Sequence, residues 1–186
     1  MNDPRPVAIG DRPGVLRLLR DAFEGPLEAA LVERLWEAKA IVAERLIEDE
    51  GVVAYAAVSA VSIGHFGSKE IIGEALGLAP VASASRRQNE GLGAAVVNAA
   101  IDTAFKAFPN RLMFVLGDPA YYRRFGFIPA SPFGYLWEGG DMGDAFQFLS
   151  KHGLVSPYVC PAEESGVTLR AVVFYHDAFS VFNVEN

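Results

Sequence analysis

Residues 86–108 read RRQNEGLGAAVVNAAIDTAFKAF. Within them Leu92, Val96, Ala100, Ile101, Ala104, Phe105 and Phe108 recur close to every 3.6 residues, which predicts the clearest amphipathic helix of the chain. Pro109 and Asn110 end it. What flanks this helix decides the architecture. Before it, IIGEALGLAPVASAS (71–85) reads as a strand that runs into a turn through Gln88, Gly91 and Gly93. After it, LMFVL (112–116) is short and wholly apolar, as in a strand covered on both faces. Asp118 then suits an N-cap and Pro119 the first position of a short helix, with Gly126 as its stop.

Upstream, DRPGVLRLLRDAF (11–23) carries a helical stripe of Val15, Leu18, Leu19, Ala22 and Phe23 behind a capping Asp11. PLEAALVERLWEA (26–38) predicts a second helix, with Leu27, Leu31, Leu35 and Trp36 on one side. AIVAERLIE (40–48), a DEG turn, and VVAYAAVSAVSIGH (52–65) make a strand hairpin. A hairpin followed by strand, helix, strand, helix predicts an α/β (α+β) fold with a mixed sheet, not a doubly wound parallel one. SPFGYLWEGGDMGDAF (131–146) reads as a glycine-rich loop or lid, and VTLRAVVFYH (167–176) and AFSVFNVE (178–185) as strands. There is no repeat, linker or low-complexity tract, so residues 1–186 are expected to form a single domain.

The totals narrow the function classes. Of 186 residues, 51% are apolar and 21% charged, a folded globular composition. No apolar run reaches the roughly 18–20 residues of a membrane span, and MNDPRPVAIGDRPG lacks the pattern of a secretory signal. The expectation is a cytoplasmic protein with no membrane partner. The single cysteine, Cys160, forms no internal disulfide, lacks a nearby histidine and reads as an inert thiol. His65, His152 and His176 show no zinc spacing, so no metal is expected. A net charge of −7 opposes nucleic-acid binding and is compatible with a cationic substrate such as an amine.

The turn RRQNEGLG (86–93) is where chemistry shows. A helix start offers free backbone N–H groups and the positive end of a dipole. Glycines let an anion approach that backbone, which makes a phosphate site, and Arg86 and Arg87 stand just before it. The spacing is not a dinucleotide fingerprint, because Val96 occupies the third glycine position, nor a P-loop, because no Gly-Lys-Ser/Thr occurs.

Gln88-Asn89-Glu90-Gly91-Leu92-Gly93 resembles the Gln/Arg-x-x-Gly-x-Gly/Ala signature of the GNAT superfamily of N-acetyltransferases. Pro80 through Ser85 resembles the strand of that family that precedes the signature, and Tyr122-Arg123-Arg124-Phe125-Gly126-Phe127 resembles the Tyr-x-x-x-Gly-Phe segment that closes its core. LGDPAYYRRFGF as a whole (116–127) is similar to the YhbS-like branch. The order of elements agrees from about residue 5 to 130, leaving 131–186 as a variable part with 178–185 as a closing strand. The resemblance implies a mostly antiparallel sheet with helices on both faces and acetyl-CoA as cosubstrate. It further implies that Val81, Ala82 and Ser83 line the acetyl and pantetheine end, Val81 and Ser83 through their amides. Gln88, Asn89, Glu90, Gly91, Leu92, Gly93 and Ala94 would hold the pyrophosphate. Ser83 and Ser85 stand where the family has an apolar residue and proline, and Glu90 where a neutral or basic residue is commoner.

Acyl transfer needs a donor for the departing thiolate. Tyr122 matches the family's general-acid tyrosine by its offset from Gly126-Phe127, and Tyr121 is its neighbouring rival, turned about 100° away on a helix. Arg123 and Arg124 read as solvated charges or helix C-terminal partners. Glu74, Glu24, Glu28 and Glu33 are candidates for the base, with none preferred. The expected activity is N-acetyl transfer from acetyl-CoA to a small-molecule or peptide amine by direct attack in a ternary complex. The alternatives are an acyl-CoA sensor with the same fold and a partner-binding domain without cofactor. Paired edge strands would allow a homodimer.

Overall fold

A computed structural model describes residues 3–23, 25–68, 70–151, 153 and 171–182. Glu24, His152 and Cys160 lie outside the described residues. The chain forms two compact units.

The first unit comprises Met1–Ser59, Leu78–Ala107 and Asp177–Asn186. Its strands are β1 (Ile41–Glu48) and the adjoining parts of β2 (Val52–His65) and β3 (Ile71–Ser83). β1 and β2 form the expected antiparallel hairpin, with Leu46 opposite Tyr55. Its turn puts Glu50 at φ 53° and Gly51 at φ 120°. Helices α1 (Arg12–Ala22) and α2 (Leu27–Glu37) bury Val15, Leu18, Leu19, Ala29 and Val32 against Leu46, Tyr55, Ala57 and Ala82. Each buried Val or Leu side chain contributes about 1.5–3 kcal/mol, which holds helices too short to persist alone. Arg45, one residue from Leu46 and so on the other face, donates from Nη2 to Thr103 Oγ1 of α3 (Leu92–Ala107) at 2.6 Å. Helices thus cover both faces of this sheet. In its core the Tyr55 hydroxyl and Trp36 Nε1 both donate to Glu44 Oε2, at 2.8 and 2.9 Å, which satisfies two buried donors.

Three expectations here need correction. Asp11 does not cap α1 with its side chain; it accepts from Ala8 N–H at 2.7 Å and from Arg5 at 2.6 and 2.8 Å, closing the turn before the helix. Phe108 is not the last helical residue, because α3 ends at Ala107. The segment read as a closing strand forms instead a 3-10 helix, Asp177–Phe182, whose Ala178 and Val181 pack on Leu31 and Leu35 of α2; 183–185 lie outside the described residues. Ala178 and Val181 are one 3-10 turn apart, a spacing that a strand would place on opposite faces.

The Arg5 contact gives a direct prediction. Arg5 first, then Ala8 N–H, holds the Asp11 carboxyl down to about 2. Its contribution to stability is therefore complete above an ordinary carboxyl pKa near ~3.9 and is lost as pH falls toward 2. An NMR titration should find Asp11 at that low midpoint, and Arg5→Ala should return it to the ordinary carboxylate range. An unchanged midpoint in the variant would remove Arg5 as the cause.

The second unit comprises Ala60–Gly77 and Phe108–His176. Here β3 pairs in parallel with β4 (Met113–Leu116) at Leu76↔Met113 and Gly77↔Phe114. β7 (Phe146–Leu149) lies antiparallel to β4 and to β5 (Ile128–Pro129). β8 (Ala171–Phe174) is antiparallel to β2 and parallel to β6 (Tyr135–Trp137). The pairing is mixed and mostly antiparallel. Phe114 centres an aromatic core, with ring centroids of Tyr135 at 5.1 Å, Phe146 at 5.4 Å and Phe148 at 6.1 Å. Residues 131–146, read as loop or lid, contain β6 and the first residue of β7. Three-residue strands are set by their partners rather than by their own propensity. Among the described residues no helix is long and apolar enough to cross a membrane.

Candidate active site

In the first unit, Ala84 N–H donates to Val53 C=O at 2.9 Å. Successive strand amides face opposite edges, so those of Val81 and Ser83 face away from β2. Among the described residues, the β3–β4 ladder covers Leu76 and Gly77 and does not reach them. Both residues are partly exposed, whereas Ala82 between them is buried in the α1–α2 core. Val81 and Ser83 thus lie beyond that ladder on a partly exposed stretch of β3, and Ala82 anchors the strand.

The chain then makes a 3-10 turn at Ser85–Arg87 and passes through Asn89 at φ 66° and Gly91 at φ 81°. Asn tolerates the left-handed region better than most residues, and a Cβ at Gly91 would meet nothing within 4 Å. The space beside Gly91 is open. The first helical bond runs from Ala95 N–H to Gly91 C=O at 3.0 Å. The amides of Leu92, Gly93 and Ala94 precede it and have no partner inside the helix. Leu92 is 2% exposed and pins this end of α3 to the core. Gln88, Asn89 and Glu90 are exposed around the opening.

Glu90 does not stand as a bare charge. Arg87 Nε donates to both of its carboxylate oxygens, at 2.8 and 2.7 Å, and Arg87 Nη1 reaches Asp49 Oδ2 at 2.8 Å. These carboxylates, Asp49 first, push the Arg87 pKa up. Of the two arginines before the turn, Arg87 is thus committed to Asp49 and Glu90. Arg86 is exposed and makes no ion pair among the described residues.

In the second unit the short helix forms as the sequence implies. Asp118 Oδ1 accepts from Ala120 N–H at 2.8 Å, Pro119 opens α4 (Pro119–Tyr122), and Gly126 stops the chain at φ 91°. The Tyr122 ring packs edge-on to Tyr121 at 5.0 Å and to Phe127 at 5.8 Å. Burial, then Tyr121, pushes the Tyr122 phenol well above its ordinary range, so it is a neutral hydroxyl able to donate. Tyr121 turns elsewhere: the Arg124 guanidinium lies 4.8 Å over its ring and donates to its backbone carbonyl at 3.0 Å. Of the two readings given for it, solvated charge or helix-end partner, Arg124 takes the second through the Tyr121 carbonyl.

Of the candidate bases, Glu74 is exposed and paired with Arg111, and Glu28 and Glu33 lie on α2. Sequence reading missed Tyr175, Gly77 and Gly117. The buried Tyr175 ring lies on Gly77, where a Cβ would fall 2.7 Å from its Cε1. Gly117 lies under Tyr122. Nothing local marks these contacts, which depend on strand pairings distant in sequence.

No protein-family model matches the chain. It is 34% identical over 179 residues to the N-acetyltransferase YhbS of Escherichia coli strain K12, a match covering 92% of this chain and 95% of that protein. The crystal structure of Escherichia coli YhbS in complex with CoA matches with a TM-score of 0.74 at 29% identity, over 96% of this chain and 92% of that one. A GNAT family acetyltransferase of Brucella melitensis in complex with acetyl-CoA matches with a TM-score of 0.72 at 26% identity, over 96% of this chain and 98% of that one. Sequence identity and extent together make the chain a member of the GNAT superfamily of N-acetyltransferases, in its YhbS-like branch, and an acyltransferase by class.

Proposed function

We infer that this chain transfers the acetyl group of acetyl-CoA to an amine by direct attack in a ternary complex, both units serving as one acetyltransferase domain. The observation that carries this reading is the set of uncommitted amides at Leu92, Gly93 and Ala94 beside the open space at Gly91. These amides suit the pyrophosphate, with Gln88, Asn89 and Glu90 around it. The Val81 and Ser83 amides suit the acetyl carbonyl and the pantetheine arm, where a donor stabilises charge developing on oxygen. Tyr122 donates a proton to the departing thiolate. The acetyl-CoA complex of the Brucella melitensis relative supports the choice of cosubstrate.

Calorimetry with acetyl-CoA tests binding, and thiol release across an amine panel tests turnover. Heat without thiol release for any amine would leave an acyl-CoA sensor. Absence of heat and of thermal shift would remove acetyl-CoA altogether. An acidic residue beside the pyrophosphate would favour the sensor, but the Glu90 carboxylate is paired with Arg87.

Gly117 offers a separate handle on Tyr122. A Cβ there would fall 2.5 Å from Cε2 and 3.2 Å from Cδ2 of the ring. Gly117→Ala is expected to displace the phenol, lowering kcat about tenfold, with overpacking of about 1–3 kcal/mol visible as a lower Tm. Acetyl-CoA affinity should stay within about twofold, since the turn at 88–93 is untouched. A wild-type kcat in this variant would show that ring position does not matter.

A further inference from the structure

Within the second unit, Gln147 is 1% exposed and sits in the middle of β7, opposite Val115 of β4 and Pro129 of β5. Phe146 and Phe148 on either side of it turn toward Phe114, so the Gln147 side chain stands on the other face of the sheet. A buried amide is costly there unless its donors are used. Its Nε2 donates to Gly117 C=O at 3.2 Å and to Ala145 C=O at 3.4 Å. Only the amide nitrogen can serve two carbonyls, so the orientation of the group follows from its partners.

The need for this side chain comes from the end of the β4–β7 ladder. Gly117 N–H donates to Ala145 C=O at 2.9 Å. In an antiparallel pair the return bond would run from Ala145 N–H to Gly117 C=O. Ala145 N–H instead donates to Met142 C=O at 3.2 Å, closing the 3-10 turn Gly143–Ala145. Gly117 C=O thus lacks its ladder partner, and Gln147 supplies one. That carbonyl belongs to the Gly117–Asp118 peptide, the entry to α4. Asp118 caps the helix, and its C=O accepts from Tyr122 N–H at 3.1 Å. The Tyr122 ring also lies on Gly117 itself. Backbone and ring of Tyr122 therefore both depend on the place of a residue that Gln147 holds.

We propose that Gln147 is a positioning residue for acetyl transfer: its amide fixes the Gly117–Asp118 peptide and so sets where the Tyr122 hydroxyl stands. This rests on the reading of Tyr122 as the donor to the thiolate.

Gln147→Met keeps the length of the side chain but offers no N–H. Thiol release from acetyl-CoA, with the amine of the panel that turns over fastest, should show kcat lower by about tenfold, and by no more than in Tyr122→Phe. Acetyl-CoA affinity should stay within about twofold, since the turn at 88–93 is untouched. Any lost buried hydrogen bond can lower Tm, so two other readouts decide. In a Tyr122→Phe background, Gln147→Met should change kcat by less than about twofold, because the hydroxyl it places is gone. In NMR spectra of protein with isotope-labelled tyrosine rings, Gln147→Met should move the Tyr122 signal and leave that of Tyr55, in the first unit, in place. A wild-type kcat in Gln147→Met, an equal loss in both backgrounds, or an unmoved Tyr122 signal overturns the proposal. If the Met variant does not fold, Gln147→Asn, a methylene shorter, withdraws the amide from Gly117 and faces the same three outcomes. A Tyr122→Phe enzyme at the wild-type rate removes Tyr122 as donor, and a wild type that releases no thiol with any amine removes acetyl transfer; either brings down this proposal with it, an outcome distinct from losing Gln147 alone.

Discussion

Gly91→Asp is expected to weaken acetyl-CoA binding by about 100-fold or more. Two effects add. Gly91 sits at φ 81°, where a side chain is strained; Asp is among the residues that tolerate this region, so strain supplies the smaller part, about 1 kcal/mol. The larger part is charge. A carboxylate about 5 Å from a diphosphate at an effective dielectric near ~20 costs roughly 3 kcal/mol per negative charge before salt screening. Since about 1.4 kcal/mol is tenfold, charge alone gives about 100-fold. Gly91→Asn separates the two, because it has the same shape and backbone tolerance without the charge, and should lose about tenfold or less. The deficit of the Asp variant should also shrink as salt rises, while that of the Asn variant should not. Unaltered affinity in Gly91→Asp, measured by calorimetry, would place the diphosphate away from this turn.

The Arg87 contacts refine what such charge arguments mean here. Glu90 lies one residue from Gly91, yet its carboxylate is held by Arg87, which also reaches Asp49 on the β1–β2 turn. Exposed pairs of this kind contribute little stability. Their effect is on position: they draw the Glu90 charge onto Arg87 and tie the turn to the hairpin. A Cβ at Gly91 meets nothing within 4 Å, so a carboxylate there would stand in the open space beside the helix start.

Local codes made much of the molecule readable from sequence. The stripe from Leu92 to Phe105 repeats at helical period over four turns, so α3 was unmistakable apart from its last residue. Asp118, Pro119 and Gly126 each act on their own neighbours, which is why a four-residue helix could be placed with its cap and stop. What failed depends on distant partners. β6 is three residues whose strand character comes from β8, thirty-six positions on from Tyr135 to Ala171. Ala178 and Val181 belong to an apolar run that reads as a strand, and they form a 3-10 turn where α2 receives them. The same holds at the candidate site. The turn at 88–93 announces itself, but the contact of Tyr175 with Gly77 exists only once β8 pairs with β2.

Tyr122→Phe is expected to lower kcat at least tenfold while acetyl-CoA affinity stays within about twofold. General acid–base groups contribute typically 10²–10⁴-fold. The lower bound is used because a thiolate, with a thiol pKa near ~8.5, leaves without help better than an alkoxide would. Phe keeps the ring contacts with Tyr121 and Phe127, so loss of packing cannot account for a lower rate. The pH dependence has a definite sign. Burial and Tyr121 raise the Tyr122 phenol, so it remains a donor through pH 10, where an ordinary phenol would be half ionised. Wild-type kcat should therefore show no falling limb near that pH from this group. Tyr121→Phe provides the control: that ring lies under Arg124, and its loss of hydroxyl should leave kcat within about twofold. If Tyr121→Phe were the slow variant and Tyr122→Phe the normal one, the donor would be the wrong tyrosine of the pair. If both were normal, the thiolate would leave unassisted, and the role of α4 would reduce to packing.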